Sequence, residues 1–228
     1  MREMSRYAVY WTAEAGSQLA HAGACWLGWD AAEAQPRAHP DLGVDLAGLT
    51  ERPRKYGFHG TIKAPFRLVE TQSAPTLVEA FARRASQMAP FEMPPLVPRW
   101  LGPFMALVPG ADAPPLAAFA GDWVQSLEAF RAPLSPDDLA RRRKSGLTEA
   151  QDRHLLRWGY PYVFEEFRFH VTLTGPVADP SMREVAEKAA QAWFGPMLGA
   201  PVPVREVCLF GEAADGRFEV VARARLGV

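Results

Sequence analysis

The sequence predicts an α+β fold whose two halves repeat one order of elements, and three observations carry that expectation. A strand, a helix and further strands follow one another over 57–108 and again over 165–225. An aromatic-His-x-Thr-aliphatic string occurs once in each half. The 21 prolines among 228 residues, nearly twice ordinary usage, cluster where these elements end, as expected for many short strands joined by turns. A chain of this length can bury a substantial core as one domain or two small lobes.

The remaining composition narrows the function classes. Hydrophobic residues make up 48% and charged residues 22%, and mean hydropathy is -0.13, so disorder is excluded as the main description. No apolar run reaches the roughly 18 residues a membrane helix needs, and the opening residues lack the apolar stretch of a signal peptide. The expected location is the cytoplasm. With 25 Lys+Arg against 26 Asp+Glu, the net charge of -1 supplies no field to gather duplex DNA, while a small anionic ligand stays open. Cys25 and Cys208 are too few for a disulfide framework or a zinc cage and are expected as buried, inert thiols.

Element by element, residues 6–11 form a β-branched and aromatic strand, and Thr12 could cap a helix from Glu14 to about Gly28. Pro36, Pro40, Gly43 and Gly48 make 30–54 mostly loop, with one helical turn. Strands follow at 57–63 and 66–70, a helix at 75–89, and strands at 91–95, 97–101 and 104–108. A helix at 115–131 precedes a short one that opens on Ser135-Pro136-Asp137-Asp138 and closes before Gly146. Another runs from Thr148 to Gly159. The chain then reads strand at 165–174, helix at 181–194, and strands at 202–210 and 217–225 around the Asp215-Gly216 turn.

Chemistry concentrates in the repeated string. Alternate side chains share one face of a strand, so Arg168, His170, Thr172 and Thr174 are expected together, opposite Phe169, Val171 and Leu173. The same parity groups His59, Thr61 and Lys63 against Phe58 and Ile62. Imidazole titrates near neutrality, so two histidines can serve as general base and general acid around one reacting atom. A threonine hydroxyl two residues along can donate to a phosphate oxygen. Two such pairs facing each other would hold a phosphate between them.

The strings that contain these residues, RKYGFHGTIKAPF from Arg54 to Phe66 and GYPYVFEEFRFHVTLTG from Gly159 to Gly175, resemble the two signatures of the two-histidine (2H) phosphoesterase superfamily. They are similar in particular to its branch of phosphonate-metabolism proteins. The resemblance implies a bilobal, pseudo-twofold fold with two antiparallel sheets flanking a cleft. It also implies metal-independent phosphoester chemistry with no cofactor, His59 and His170 as the acid/base pair, and Thr61 and Thr172 as phosphate-binding hydroxyls. The order of acid and base stays open. Tyr56, Lys63 and Arg168 are added from proximity and strand parity as groups that could stabilise developing charge, and Tyr10 as a residue lining the cleft. The chain is then one bilobal domain. It comprises an N-terminal strand and helix at 5–28, a first lobe at about 30–111, a helical insertion at about 112–160 and a second lobe at about 161–228.

Other readings compete. Zinc would want three or four ligands, and neither strand shows carboxylate or Cys partners. His21, His39 and His154 have no matched partner and fit surface or packing roles. Arg141 to Lys144 complement a helix dipole or, alternatively, contact a substrate phosphate. The expected function is hydrolysis of a small cyclic phosphodiester by a monomer with no membrane partner, in phosphonate metabolism. The alternatives are an RNA-end-processing 2′,3′-cyclic phosphodiesterase and a non-catalytic module that binds nucleotide or RNA.

Overall fold

The computed structural model describes residues 4–227. The first half contains β1 (Tyr7–Trp11), α1 (Gln18–Leu27), β2 (Trp29–Asp30), β3 (Gln35–Pro36), α2 (Leu46–Leu49), α3 (Glu51–Arg54), β4 (Gly60–Phe66) and α4 (Ala74–Ala85). Strands β5 (Phe91–Met93), β6 (Leu96–Leu101) and β7 (Phe104–Pro109) lead into α5 (Pro114–Ser126), α6 (Pro136–Arg143) and α7 (Glu149–Trp158). The chain closes with β8 (Val171–Thr172), α8 (Pro180–Phe194), β9 (Val202–Val204), β10 (Glu206–Glu212) and β11 (Phe218–Arg225).

Along β1, Tyr7, Val9 and Trp11 enter the main core while Ala8 and Tyr10 enter a smaller cluster on the other side. A strand buried on both faces belongs inside a sheet. It sits within a seven-stranded antiparallel sheet of order β11-β10-β1-β4-β8-β7-β6. Helices α4, α5 and α8 pack against this sheet through the main core. The class is α+β, as expected. The two expected sheets are the two ends of this one sheet, and they meet at β4 and β8, the strands that carry the repeated strings.

Several boundaries differ from the sequence expectation for local reasons. Helix α1 begins at Ser17, whose side chain accepts from the Ala20 N–H, because the Thr12 hydroxyl donates instead to the Phe58 carbonyl at 2.7 Å. The stretch at 30–54 holds α2 and α3, not one turn. The strands expected at 57–63 and 66–70 are the single strand β4, with Pro65 inside it. The β1–β4 register slips between the Val9↔Lys63 and Tyr7↔Phe66 pairs, which leaves proline where no ladder N–H is needed. The strand expected at 165–174 forms ladder pairs only at Val171 and Thr172, because Phe164–Glu166 is a 3-10 turn and β4 offers β8 a single pair, Gly60↔Val171.

That pair depends on glycine. A Cβ at Gly60 would lie 2.3 Å from ring carbons of Phe169, which is buried beneath the junction. Gly60→Ala is therefore expected to destabilise the protein by about 1–3 kcal/mol through overpacking. In denaturant titrations its cost should be smaller in a Phe169→Leu background. Additive costs would show that the ring is not what Gly60 accommodates.

Candidate active site

Continuing the antiparallel register one residue either side of Gly60↔Val171 sets His59 opposite Thr172 and Thr61 opposite His170. The four side chains form two crossed His/Thr pairs around a local twofold. Diagonal positions in such a ladder lie about 7–8 Å apart, room for a phosphate between the imidazoles. All four line one cleft of about 390 Å³, together with Tyr10 and Tyr56.

Each imidazole is held by its own backbone. His59 Nδ1 lies 2.9 Å from the Gly57 carbonyl, and His170 Nδ1 lies 2.8 Å from the Arg168 carbonyl. A carbonyl oxygen only accepts, so Nδ1 is the donor in both rings and Nε2 is the nitrogen left for chemistry. Gly57 has φ 71°, a left-handed conformation that glycine adopts without strain, and it presents its carbonyl at the turn before His59. Tyr10 stacks on the His59 ring with centroids 4.0 Å apart, and Tyr56 tilts over it at 5.7 Å. Burial pushes the His59 imidazole down to about 4, against the Gly57 carbonyl, which favours the charged form; the neighbouring His170 adds to the depression. Burial also holds the Tyr10 phenol well above its ordinary value, so it remains a hydroxyl donor.

Lys63 is not brought to this cleft, and Arg168 lies beside it, in an adjoining hollow that Thr61, Ala64, Tyr160 and His170 also line. The β1–β4 register also slips between Val9↔Lys63 and Tyr10↔Thr61, so Ile62 is an extra residue and the alternation reverses. Ala64 faces the cleft in place of Lys63. The Lys63 ammonium is buried, donating to the Val124 carbonyl of α5 at 2.8 Å and pairing with Glu128 at 3.3 Å. Burial lowers it to about 8, opposed by Glu128. Arg168 is exposed and turns back on its own chain, donating to the Glu165 and Phe167 carbonyls.

Three further arginines line the cleft. Arg6 is paired with Glu212 at 2.5 Å, Arg52 is exposed on α3, and Arg142 reaches in from α6. The only sequence signal for the last was the basic run itself. The other histidines have local partners: His154 with Glu165, His39 with the Trp26 carbonyl, His21 with Cys25. Burial pushes the Cys208 thiol up to about 12 and raises Cys25 as well, which leaves both poor nucleophiles. Among the described residues no three of His, Cys, Asp and Glu converge as a metal site, and no helix is long and apolar enough to cross a membrane.

Comparison with known proteins adds the following. The family described as "Protein of unknown function (DUF1045)" matches residues 61–219. A relative from Janthinobacterium sp. (strain Marseille), named ribose 1,5-bisphosphate phosphokinase PhnN, is 36% identical over 220 residues, covering 93% of this chain and 49% of the relative. One of the same name from Laribacter hongkongensis (strain HLHK9) is 32% identical over 212 residues, covering 92% and 49%. The chain thus spans about half the length of the curated relatives it matches. Among solved structures, a phosphoesterase aligns with TM-score 0.43 at 16% identity over 98% of this chain and 99% of that one. E. coli LigT complexed with NADP+ aligns with TM-score 0.42 at 15% identity over 99% of both chains.

The depressed His59 value has a definite sign. Between its ordinary 6.5 and about 4 the unfolded chain binds a proton that the folded chain does not, so stability falls as pH falls through that window. Thermal unfolding should show this loss, and His59→Gln should reduce it. The His59 Cε1–H resonance should titrate near 4, and titration near 6.5 would refute the burial effect. Lys63→Met should leave the kinetics of this site unchanged, because the ammonium serves α5 and not the cleft.

Proposed function

Since the chain belongs to the DUF1045 family, whose description assigns no activity, we propose from its site that it is a metal-independent phosphodiesterase of the two-histidine type. Its substrate is a small cyclic phosphodiester. The observation that carries this reading is the crossed arrangement of two His/Thr pairs, each imidazole tethered at Nδ1 so that Nε2 faces a shared cleft. A volume of about 390 Å³ suits one sugar or nucleoside rather than an oligonucleotide.

In the proposed reaction a water attacks phosphorus while a neutral imidazole accepts its proton. His59 fits this role, because burial disfavours its charged form at neutral pH. The new P–O bond forms as the ester P–O bond on the opposite side breaks, and His170, protonated at Nε2, gives its proton to the departing oxygen. The products are a phosphomonoester and a free hydroxyl; exchange with solvent then returns His59 to the neutral form and His170 to the protonated one. Thr61 and Thr172 donate to the non-bridging oxygens, where charge builds. Tyr10 holds the His59 ring by stacking, and Tyr56 closes the cleft above it.

The curated relatives are named for a kinase of ribose 1,5-bisphosphate. No lysine in this sequence follows a glycine, so the chain lacks the Gly-x-x-x-x-Gly-Lys-Ser/Thr phosphate loop, and we do not assign it that activity. A phosphorylated ribose as the compound named for such relatives supports a ribose cyclic phosphate as the substrate. The similarity of the motif strings to phosphonate-metabolism proteins supports a cytoplasmic role in phosphonate breakdown.

Against a panel of cyclic phosphates, turnover should persist in chelator. His59→Ala and His170→Ala should each lower kcat by roughly 10²–10⁴ while the protein stays folded. Thr61→Val and Thr172→Val should lose less. Activity that disappears with chelator, or a panel without any turnover, would overturn the reading. In kcat/KM, which reports the free enzyme, the acid limb should fall near pH 4 as His59 becomes protonated.

A further inference from the structure

The three consecutive arginines of α6 do not share one environment. Successive helical residues point about 100° apart, so a run of three cannot serve a single face. Arg141 pairs with Asp138, which also holds Arg67, and Arg143 forms two hydrogen bonds to Asp152 at 2.7 and 2.9 Å. Arg142, between them, has neither kind of partner. Its Nε is buried without a hydrogen bond, its guanidinium lies 5.3 Å over the Tyr160 ring, and it lines the same cleft as the two histidines. Arg6, which lines the same cleft, is already neutralised by Glu212.

A half-buried guanidinium whose Nε has no acceptor and which forms no ion pair is a net cost to folding unless something anionic completes it. Burial lowers Arg142 accordingly, with Arg141 and Arg6 adding repulsion and Tyr160 and Asp138 only partly offsetting it. Its place in the cleft is also specific. Arg142 and Tyr160 adjoin Ala64 and Pro65, which continue β4 beyond Thr61, so they stand past the Thr61/His170 end of the reacting site. At about 3.3 Å per residue along a strand, Ala64 lies about 10 Å beyond Thr61, a separation within the span of one sugar ring and its substituent.

We infer that the cleft has a second anion subsite centred on Arg142, and that the substrate is a cyclic phosphodiester bearing a further phosphate on the far side of its sugar. The inference rests on the phosphodiesterase reading for which phosphate reacts. It goes beyond that reading in naming the second charged group and the residue that receives it. The planar guanidinium forks two N–H groups toward a phosphate oxygen pair, and the Tyr160 ring behind it keeps the fork oriented. Selectivity then comes from an unmet charge: a substrate without the second phosphate leaves Arg142 as it stands in the free protein.

The experiment compares adenosine 2′,3′-cyclic monophosphate with its 5′-phosphorylated counterpart, in the wild-type protein and in Arg142→Gln. The wild type should favour the phosphorylated compound by roughly 10- to 100-fold in kcat/KM, the range of a charge-assisted hydrogen bond. The variant should lose that preference by losing far more on the phosphorylated compound than on the unphosphorylated one; Arg142→Lys should retain part of it. Equal treatment of both compounds by the wild type overturns the inference. So does an equal loss on both in the variant, which would put Arg142 on the reacting phosphate. Calorimetric binding of adenosine 2′-monophosphate and adenosine 2′,5′-bisphosphate decides the matter without turnover. Tighter binding of the bisphosphate, abolished in Arg142→Gln, supports the subsite even if hydrolysis fails; equal affinity refutes it. Arg142→Gln should melt no lower than the wild type in the absence of ligand, whereas a lower melting temperature would show a structural role instead.

Discussion

The site depends on one ladder pair. Among the described residues, Gly60 and Val171 form the one ladder pair through which β4 and β8 join the two ends of the sheet, and the chemistry-bearing residues are their immediate neighbours. Antiparallel pairing around one point makes a local twofold, and the twofold turns two similar strings into two opposed reagents. Had the strands met one residue further along, the side-chain parity would have placed Phe58 and Phe169 where the imidazoles stand. Glycine at 60 and a ring at 169 are complementary halves of that registration.

Around this junction, charge is distributed by burial as much as by sequence. The sheet face toward α5 takes an ammonium, Lys63, only because Val124 and Glu128 meet it there. The opposite face gathers aromatic rings around His59 and so keeps that imidazole in its neutral form. Farther along the cleft, Arg6 is balanced by Glu212, while Arg142 forms no ion pair among the described residues and its buried Nε has no acceptor. A chain of net charge -1 thus acquires local positive potential in its cleft from a guanidinium there that forms no ion pair.

How much of this was legible in the sequence follows from the range of each interaction. Several helix starts and the order of strands could be read because propensity and capping are local; α6 and α7 begin where Ser135 and Thr148 place them. The pairing of His59-x-Thr61 with His170-x-Thr172 was legible because the same string occurs twice. Lys63 was misplaced because a bulge at Ile62 arises from the partner strand and has no signature in β4 alone. Arg168 was misplaced because parity was applied to a segment that is extended but mostly outside the ladder. Arg142 could be separated from its two neighbours only when the carboxylates of Asp138 and Asp152 had positions in space.

The tether from each Nδ1 to the carbonyl two residues earlier has an evolutionary consequence. Where an imidazole is oriented by a carboxylate from a distant segment, side chain and orienting group must be inherited together. Here the five residues 57–61, and again 168–172, bring the ring, its tautomer and a hydroxyl as one cassette. Such a unit survives duplication intact, and the two copies are then free to diverge everywhere else, provided one position between them stays small enough for the other copy's aromatic ring.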